Sequence, residues 1–204
     1  MIFLASKSPQ RKALLEALGI DFEIVLPEYI EDDLPGELPA DLVKRHSRGK
    51  AMSVLPRITS NSTNSIVLGV DTMVVVDKKT LGKARDVDEA LDFLRRLSGR
   101  THHVYSGLTL LRAGDVVAVV EEKTAHAVTE VRFGLITEFE LEAYVGTGEW
   151  RGRAGAYAIQ GRASAFVEEV SGDYTNVVGL PVPLLVGMLR EWGQWPPTGW
   201  GLGA

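Results

Sequence analysis

No cysteine occurs in the 204 residues, which excludes disulfides, thiolate nucleophiles and cysteine-ligated zinc. No apolar run approaches the ~20 residues that a membrane-spanning helix needs. The chain passes from Met1-Ile2-Phe3-Leu4 straight into a polar, proline-containing segment. The expectation is a cytoplasmic protein with neither membrane anchor nor signal peptide. Positive charge is in the minority: 22 Lys and Arg against 27 Asp and Glu give a formal net charge of -5. This argues against nucleic acid held by bulk electrostatics as a partner, and any anionic ligand must be met locally. The four histidines are scattered without metal-ligand spacing, and there is no internal repeat. What is present, 45% hydrophobic and 24% charged residues, suits one ordinary domain or two small lobes sharing a core.

Periodicity and turn chemistry predict an α/β protein. Ile2 to Ala5 reads as a buried strand, and Ser8 with Pro9 opens a helix whose Leu14, Leu15 and Leu18 share a face before Gly19 closes it. A second strand is expected from Phe22 to Leu26 and a helix from Pro39 to about Val54, joined by an acidic connection holding Glu28, Glu31, Asp32 and Asp33. A polar loop spans Ile58 to Ser65, and the most apolar stretch of the chain, Ile66 to Val76, follows as a strand. After a turn at Asp77-Lys78-Lys79-Thr80, Asp86 and Glu89 form a capping box for a helix through Leu97, closed by Gly99. Strands around His102 to Leu111 and Val116 to Phe133 flank a turn at Ala113-Gly114-Asp115 as a hairpin. Thr137 and Glu140 cap a helix ending near Gly146, the block Ala154 to Gly161 returns the chain to β structure, and Pro181 opens a last helix to about Trp192. Helices interleave with hairpins, so a mixed sheet is expected, in a single domain over 1–193 with an irregular tail over 194–204.

Asp71 stands in the middle of that apolar strand. An unpaired carboxylate there would cost several kcal/mol, roughly, so a cation, a metal or strong donors should match it; Lys50, Lys83 and Arg11 are available. A bulge or an early strand end accounts for the same residue equally well. The block Leu4-Ala5-Ser6-Lys7-Ser8-Pro9-Gln10-Arg11-Lys12 puts three cations at a helix start, where they oppose the helix dipole. An external anion such as phosphate would complete the set; a solvated basic first turn is the bland alternative. Lys50, beside Lys44, Arg45 and Arg48, also suits a solvated face. Lys83 follows a hairpin whose first strand holds Asp71, so the hairpin can return it to that neighbourhood. The small residues of Ala154-Gly155-Ala156-Tyr157-Ala158-Ile159-Gln160-Gly161 admit either a close ligand or a tight core crossing, and Gln160 offers an amide for a base.

Taken together these blocks resemble the Maf family of nucleoside triphosphate pyrophosphatases, over most of residues 2 to 190. The likeness rests on Leu4 to Arg11, Glu31, Lys50-Ala51, Gly69-Val70-Asp71-Thr72 and Leu81-Gly82-Lys83. It continues through Leu97-Ser98-Gly99-Arg100-Thr101-His102, Ala154 to Gly161 and Val177-Val178-Gly179-Leu180-Pro181. The resemblance implies a two-lobed mixed α/β fold with a central cleft, akin to inosine triphosphate pyrophosphatases. It also implies hydrolysis of a nucleoside triphosphate to monophosphate and pyrophosphate with a divalent cation, magnesium, manganese or cobalt. Ser6, Arg11, Lys50 and Lys83 would hold the phosphates, and Glu31 and Asp71 the metal. Asp71 would accept the proton of a water attacking the α-phosphorus, with Lys83 and Glu31 part of the catalytic set. Thr72 and Gln160 match the pattern of dTTP and UTP pyrophosphatases, whereas Gln10 stands where that pattern has arginine. Arg151-Gly152-Arg153 stands where an Asp-Lys pair is common. The same chemistry on 7-methyl-GTP or on a broad set of nucleotides, and a nucleotide-sensing regulator of cell division, are the rival readings. A homodimer is also implied.

Overall fold

The first strand, β1 (Ile2–Ala5), is buried along its whole length and runs parallel to β2 (Phe22–Ile24) on one side and β3 (Ser65–Val76) on the other. Ile2 pairs with Phe22 and with Ile66, the arrangement expected where both faces of a parallel sheet are covered. The structure, a computed structural model, describes residues 1–32, 34, 36–58, 65–114, 119–197 and 200. The remaining strands are β4 (Lys79–Leu81), β5 (Thr101–Ala113), β6 (Val119–Phe133) and β7 (Val167–Ser171). They complete a mixed seven-stranded sheet of order β2-β1-β3-β5-β6-β7, with β4 antiparallel to β3. Six α-helices occur among the described residues: α1 (Pro9–Ala17), α2 (Pro39–Val54), α3 (Val87–Leu97), α4 (Glu138–Gly146), α5 (Tyr174–Val178) and α6 (Val182–Glu191).

The chain divides into two compact units, the first made of Met1–Asp71, Ser106–Ala127 and Gly179–Ala204, the second of Thr72–Tyr105 and Val128–Val178. In the first unit the period-2 alternation of the strands sorts side chains between two faces. Leu4, Ile66, Leu68, Leu108 and Leu110 pack with Leu15 of α1 and Leu185 and Leu189 of α6. Phe3, Ala5, Val67 and Leu111 pack instead with Ala51 and Val54 of α2. That second face also carries two glycines where α2 crosses it. A Cβ added to Gly69 would lie 2.1 Å from the Ser47 carbonyl oxygen, and one added to Gly107 would lie 2.0 Å from that of Val43. Both glycines therefore let α2 approach the sheet at backbone distance. Ser47 Oγ meets Thr109 Oγ1 at 2.9 Å, a polar contact inside this interface. In the second unit, α3 and α4 bury Leu94, Leu97, Leu141 and Tyr144 in one core with Val74, Val104, Phe133, Trp150 and Tyr157.

Several elements follow the sequence closely. Ser8 caps α1 by accepting from the Arg11 amide, Gly19 closes it at φ 64°, and α2 has the expected bounds. The Thr137 and Glu140 capping box is complete in both directions. At α3 only half the box forms. Asp86 accepts from the Glu89 amide, but the Glu89 carboxylate accepts from the Arg85 amide and guanidinium. The strand expected to Leu26 ends at Ile24, and Leu26 instead gives its carbonyl to Arg57. Residues 154–161 form turns and one isolated bridge, Lys83 with Ala154, where β structure was expected. Gly155 and Ala156 both take positive φ, 67° and 57°, which breaks a strand. Short α5 and the 3-10 turns at Leu55–Arg57 and Arg162–Phe166 have no counterpart in the sequence reading. The hairpin turn at Asp115, residues 116–118, the polar stretch 59–64, Asp33 and tail residues 198, 199 and 201–204 lie outside the described residues.

Candidate active site

Asp71 belongs to the same alternation as Val67 and Gly69, so its carboxylate faces α2. There Lys50, in the last turns of α2, places its Nζ 2.6 Å from Asp71 Oδ1 and 2.7 Å from Glu31 Oε1. Lys50 and Asp71 are buried, with side chains 9% and 8% exposed, while Glu31 at 45% is the open member. The close approach permitted by Gly69 is what lets a lysine on a helix reach a carboxylate inside a sheet. A pair this dry costs desolvation that the mutual attraction and further hydrogen bonds must offset. It is therefore a poor device for stability alone, and its location is better explained by chemistry.

A second cation joins the cluster from the N-terminal helix. Arg11 Nη1 donates to Ser6 Oγ at 3.0 Å and to the Val70 carbonyl at 3.0 Å, and its Nε donates to the Gly179 carbonyl at 2.8 Å. Burial lowers the pKa of this guanidinium, and the negative charges of Asp71 and Glu31 oppose that shift. Arginine stays protonated regardless, so two cations and two carboxylates share the site. Buried Ser6 also accepts from the Ser8 amide at 3.2 Å, which ties the loop before α1 to the same group. Of the three cations at this helix start, only Arg11 turns inward; Lys7 and Lys12 are exposed. Gln10 is half-buried, its carboxamide oxygen accepting from Ser8 Oγ at 3.2 Å.

The segment bearing Glu31 is fastened to α2. Tyr29 meets His46 Nδ1 at 3.1 Å, and Arg45 donates to Glu37 at 2.7 Å and to the Asp32 carbonyl at 2.7 Å. Glu28 pairs with Arg57. Glu31 thus differs from the neighbouring acids Glu28, Asp32 and Glu37 in pairing with a buried partner. Sequence reasoning missed Tyr29, Arg45 and the carbonyls of Val70 and Gly179. Val70, in the Gly69 to Thr72 block, and Gly179, in the Val177 to Pro181 block, lay in segments that carried a signal; Tyr29 did not.

Three further candidates lie in the second unit. Thr72 follows Asp71 along β3 and is half-buried. Lys83 is exposed and its backbone bridges to Ala154, while Gln160 is exposed within a turn. The structure thus gathers Ser6, Arg11, Glu31, Lys50 and Asp71 by direct or electrostatic contact.

Among the described residues no group of three or more His, Cys, Asp or Glu side chains converges in a metal-binding arrangement. Glu31 and Asp71 nonetheless point one carboxylate oxygen each at a single cationic centre, the Lys50 ammonium. Two carboxylates suit magnesium or manganese, which complete their shells with water and phosphate oxygens. The donors fit such an ion.

A family model described as Maf-like protein matches residues 1–192. The chain is 46% identical over 192 residues to the dTTP/UTP pyrophosphatase of Symbiobacterium thermophilum, covering 94% of each protein. It is 42% identical over 192 residues to the dTTP/UTP pyrophosphatase of Pelotomaculum thermopropionicum, covering 94% of this chain and 96% of that one. A solved structure of the nucleoside-triphosphatase / dITP/XTP pyrophosphatase of Mycobacterium abscessus aligns with 14% identity and a TM-score of 0.37, over 100% of this chain and 99% of that one.

Proposed function

We propose that this chain, which belongs to the Maf-like protein family, hydrolyses nucleoside triphosphates, dTTP and UTP foremost, to the monophosphate and pyrophosphate. The observation that carries the proposal is the buried Lys50 ammonium shared by Asp71 and Glu31. The names of the similar proteins, dTTP/UTP pyrophosphatase, support the choice of substrate.

Asp71 takes a proton from a water molecule whose oxygen forms a bond to the α-phosphorus. The bond from that phosphorus to the α–β bridging oxygen breaks, and the electron pair leaves with pyrophosphate. Arg11, held in place by Ser6 and two carbonyls, presents a fixed guanidinium to the phosphate oxygens. Lys50 balances the Asp71 carboxylate in the resting site and would turn toward the triphosphate when its charge arrives. A divalent cation, which Glu31 and Asp71 would hold, would supply neutralisation of the phosphate charge. Lys83 as a further phosphate contact, and Thr72, Gln160 and Gln10 as determinants of the base, enter from the resemblance of their motifs. A homodimer and a cytoplasmic setting belong to the same reading.

The test is a nucleotide panel with magnesium or manganese, separating monophosphate plus pyrophosphate from diphosphate plus phosphate. Monophosphate formed mainly from dTTP and UTP supports the proposal. Turnover of 7-methyl-GTP or of many nucleotides keeps the reaction and overturns the substrate, and binding without turnover favours a sensor.

A further inference from the structure

Gly49 lies inside α2, one residue before Lys50, where glycine is a poor helix former and calls for a reason. The reason is on the opposite side of the contact: a Cβ at Gly49 would lie 2.2 Å from Cε2 and 2.4 Å from Cζ of Tyr29. The tyrosine ring occupies the space a side chain would fill. Its hydroxyl meets His46 Nδ1 at 3.1 Å and accepts from Arg45 Nη1 at 3.3 Å. Arg45 in turn donates to the Asp32 carbonyl at 2.7 Å and to Glu37 Oε1 at 2.9 Å. Residues on both sides of Glu31 are thus held by one stretch of α2, and Glu31 meets the adjoining Lys50.

We propose that Tyr29 is a positioning residue: its ring, seated on Gly49, sets the geometry in which Glu31 reaches Lys50, and position 49 is glycine in order to seat it. The inference rests on the role given above to Glu31. A Gly49→Ala substitution favours the helix by propensity and displaces only the ring, so α2 should remain folded. Tyr29→Ala empties the seat, and Tyr29→Phe keeps the ring while deleting the hydroxyl.

The experiment pairs amide hydrogen exchange in the full chain with kcat/KM on dTTP and UTP. Gly49→Ala and Tyr29→Ala are expected to speed exchange at residues 28–32 while leaving α2 unchanged. They should also lower kcat/KM by about 10- to 100-fold, the scale of a small misplacement at a catalytic centre. Tyr29→Phe should retain most of the activity. In a Glu31→Ala background neither substitution should lower kcat/KM further, because Tyr29 acts through Glu31. Unchanged exchange at 28–32, or losses that multiply with that of Glu31→Ala, would overturn the proposal. Should the wild type turn over neither nucleotide, or should Glu31→Ala be silent, the catalytic role of Glu31 fails by itself. The exchange of Gly49→Ala then decides whether Tyr29 holds this segment.

Discussion

Each unit buries a close polar pair of titratable side chains, one an ion pair and the other neutral. In the first, Lys50 and Asp71 lie 2.6 Å apart as a salt bridge, with Arg11 and Glu31 close by. In the second, His102 Nε2 and the Tyr157 hydroxyl lie 2.9 Å apart amid Phe133 and the aliphatic core. Burial there pushes His102 down to about 4 and the Tyr157 hydroxyl up, so both stay neutral. The second unit follows the ordinary rule, in which a buried polar group sheds its charge and takes a hydrogen bond. The first unit departs from it, and the departure coincides with an open carboxylate, a fixed guanidinium and a lysine shared by two acids. An ion pair in dry surroundings marks the chemistry; a neutral hydrogen-bonded pair in dry surroundings marks packing.

Removing charge from the first cluster should have the largest effect. Asp71→Asn is expected to lower turnover by about 100- to 10,000-fold, the range for loss of a general base, while nucleotide binding by calorimetry persists. Turnover near wild type would remove Asp71 from the role of base. Next, Lys50→Met leaves two carboxylates facing each other without their cation, and loss of one partner of a buried pair costs about 3–5 kcal/mol. Urea unfolding at neutral pH measures it. The Lys50→Met/Asp71→Asn double variant should recover part of that loss, because less buried charge is left uncompensated.

The second unit should respond to pH instead. His102 titrates near 6.5 when unfolded and near 4 when folded. Between these values the unfolded chain binds a proton that the folded chain does not, so this contribution to stability is complete above about 6.5 and lost as pH falls toward about 4. The loss amounts to roughly 3 kcal/mol. Unfolding by urea across pH 4 to 7 should show that slope in the wild type and a shallower one in His102→Gln. An equal slope in both would place the titration elsewhere.

Much of the first unit was legible because its signals are local. Ser8-Pro9, Gly19, the bounds of α2 and the apolar run around Asp71 each report a backbone preference or a face. Asp71 stood out as a charge in the wrong medium, although its partner could not be chosen from Lys50, Lys83 and Arg11. That choice is made by Gly69 and Gly107, whose missing side chains bring α2 against the sheet; such an approach has no periodic signature. Glu31 was hidden among acids for the same reason, since it is the docking of Tyr29 on α2 and the hold of Arg45 from α2 on Asp32 that set it apart from Glu28 and Asp32. The block 154–161 misled because small residues serve strands and turns alike, and the positive φ of Ala156 has no sequence marker.

Water attack at the α-phosphorus is tested most directly by running the wild-type reaction on dTTP in oxygen-18 water and weighing both products. The account predicts one solvent oxygen in every monophosphate and none in the pyrophosphate. Label in the pyrophosphate, or diphosphate as the product, would contradict it.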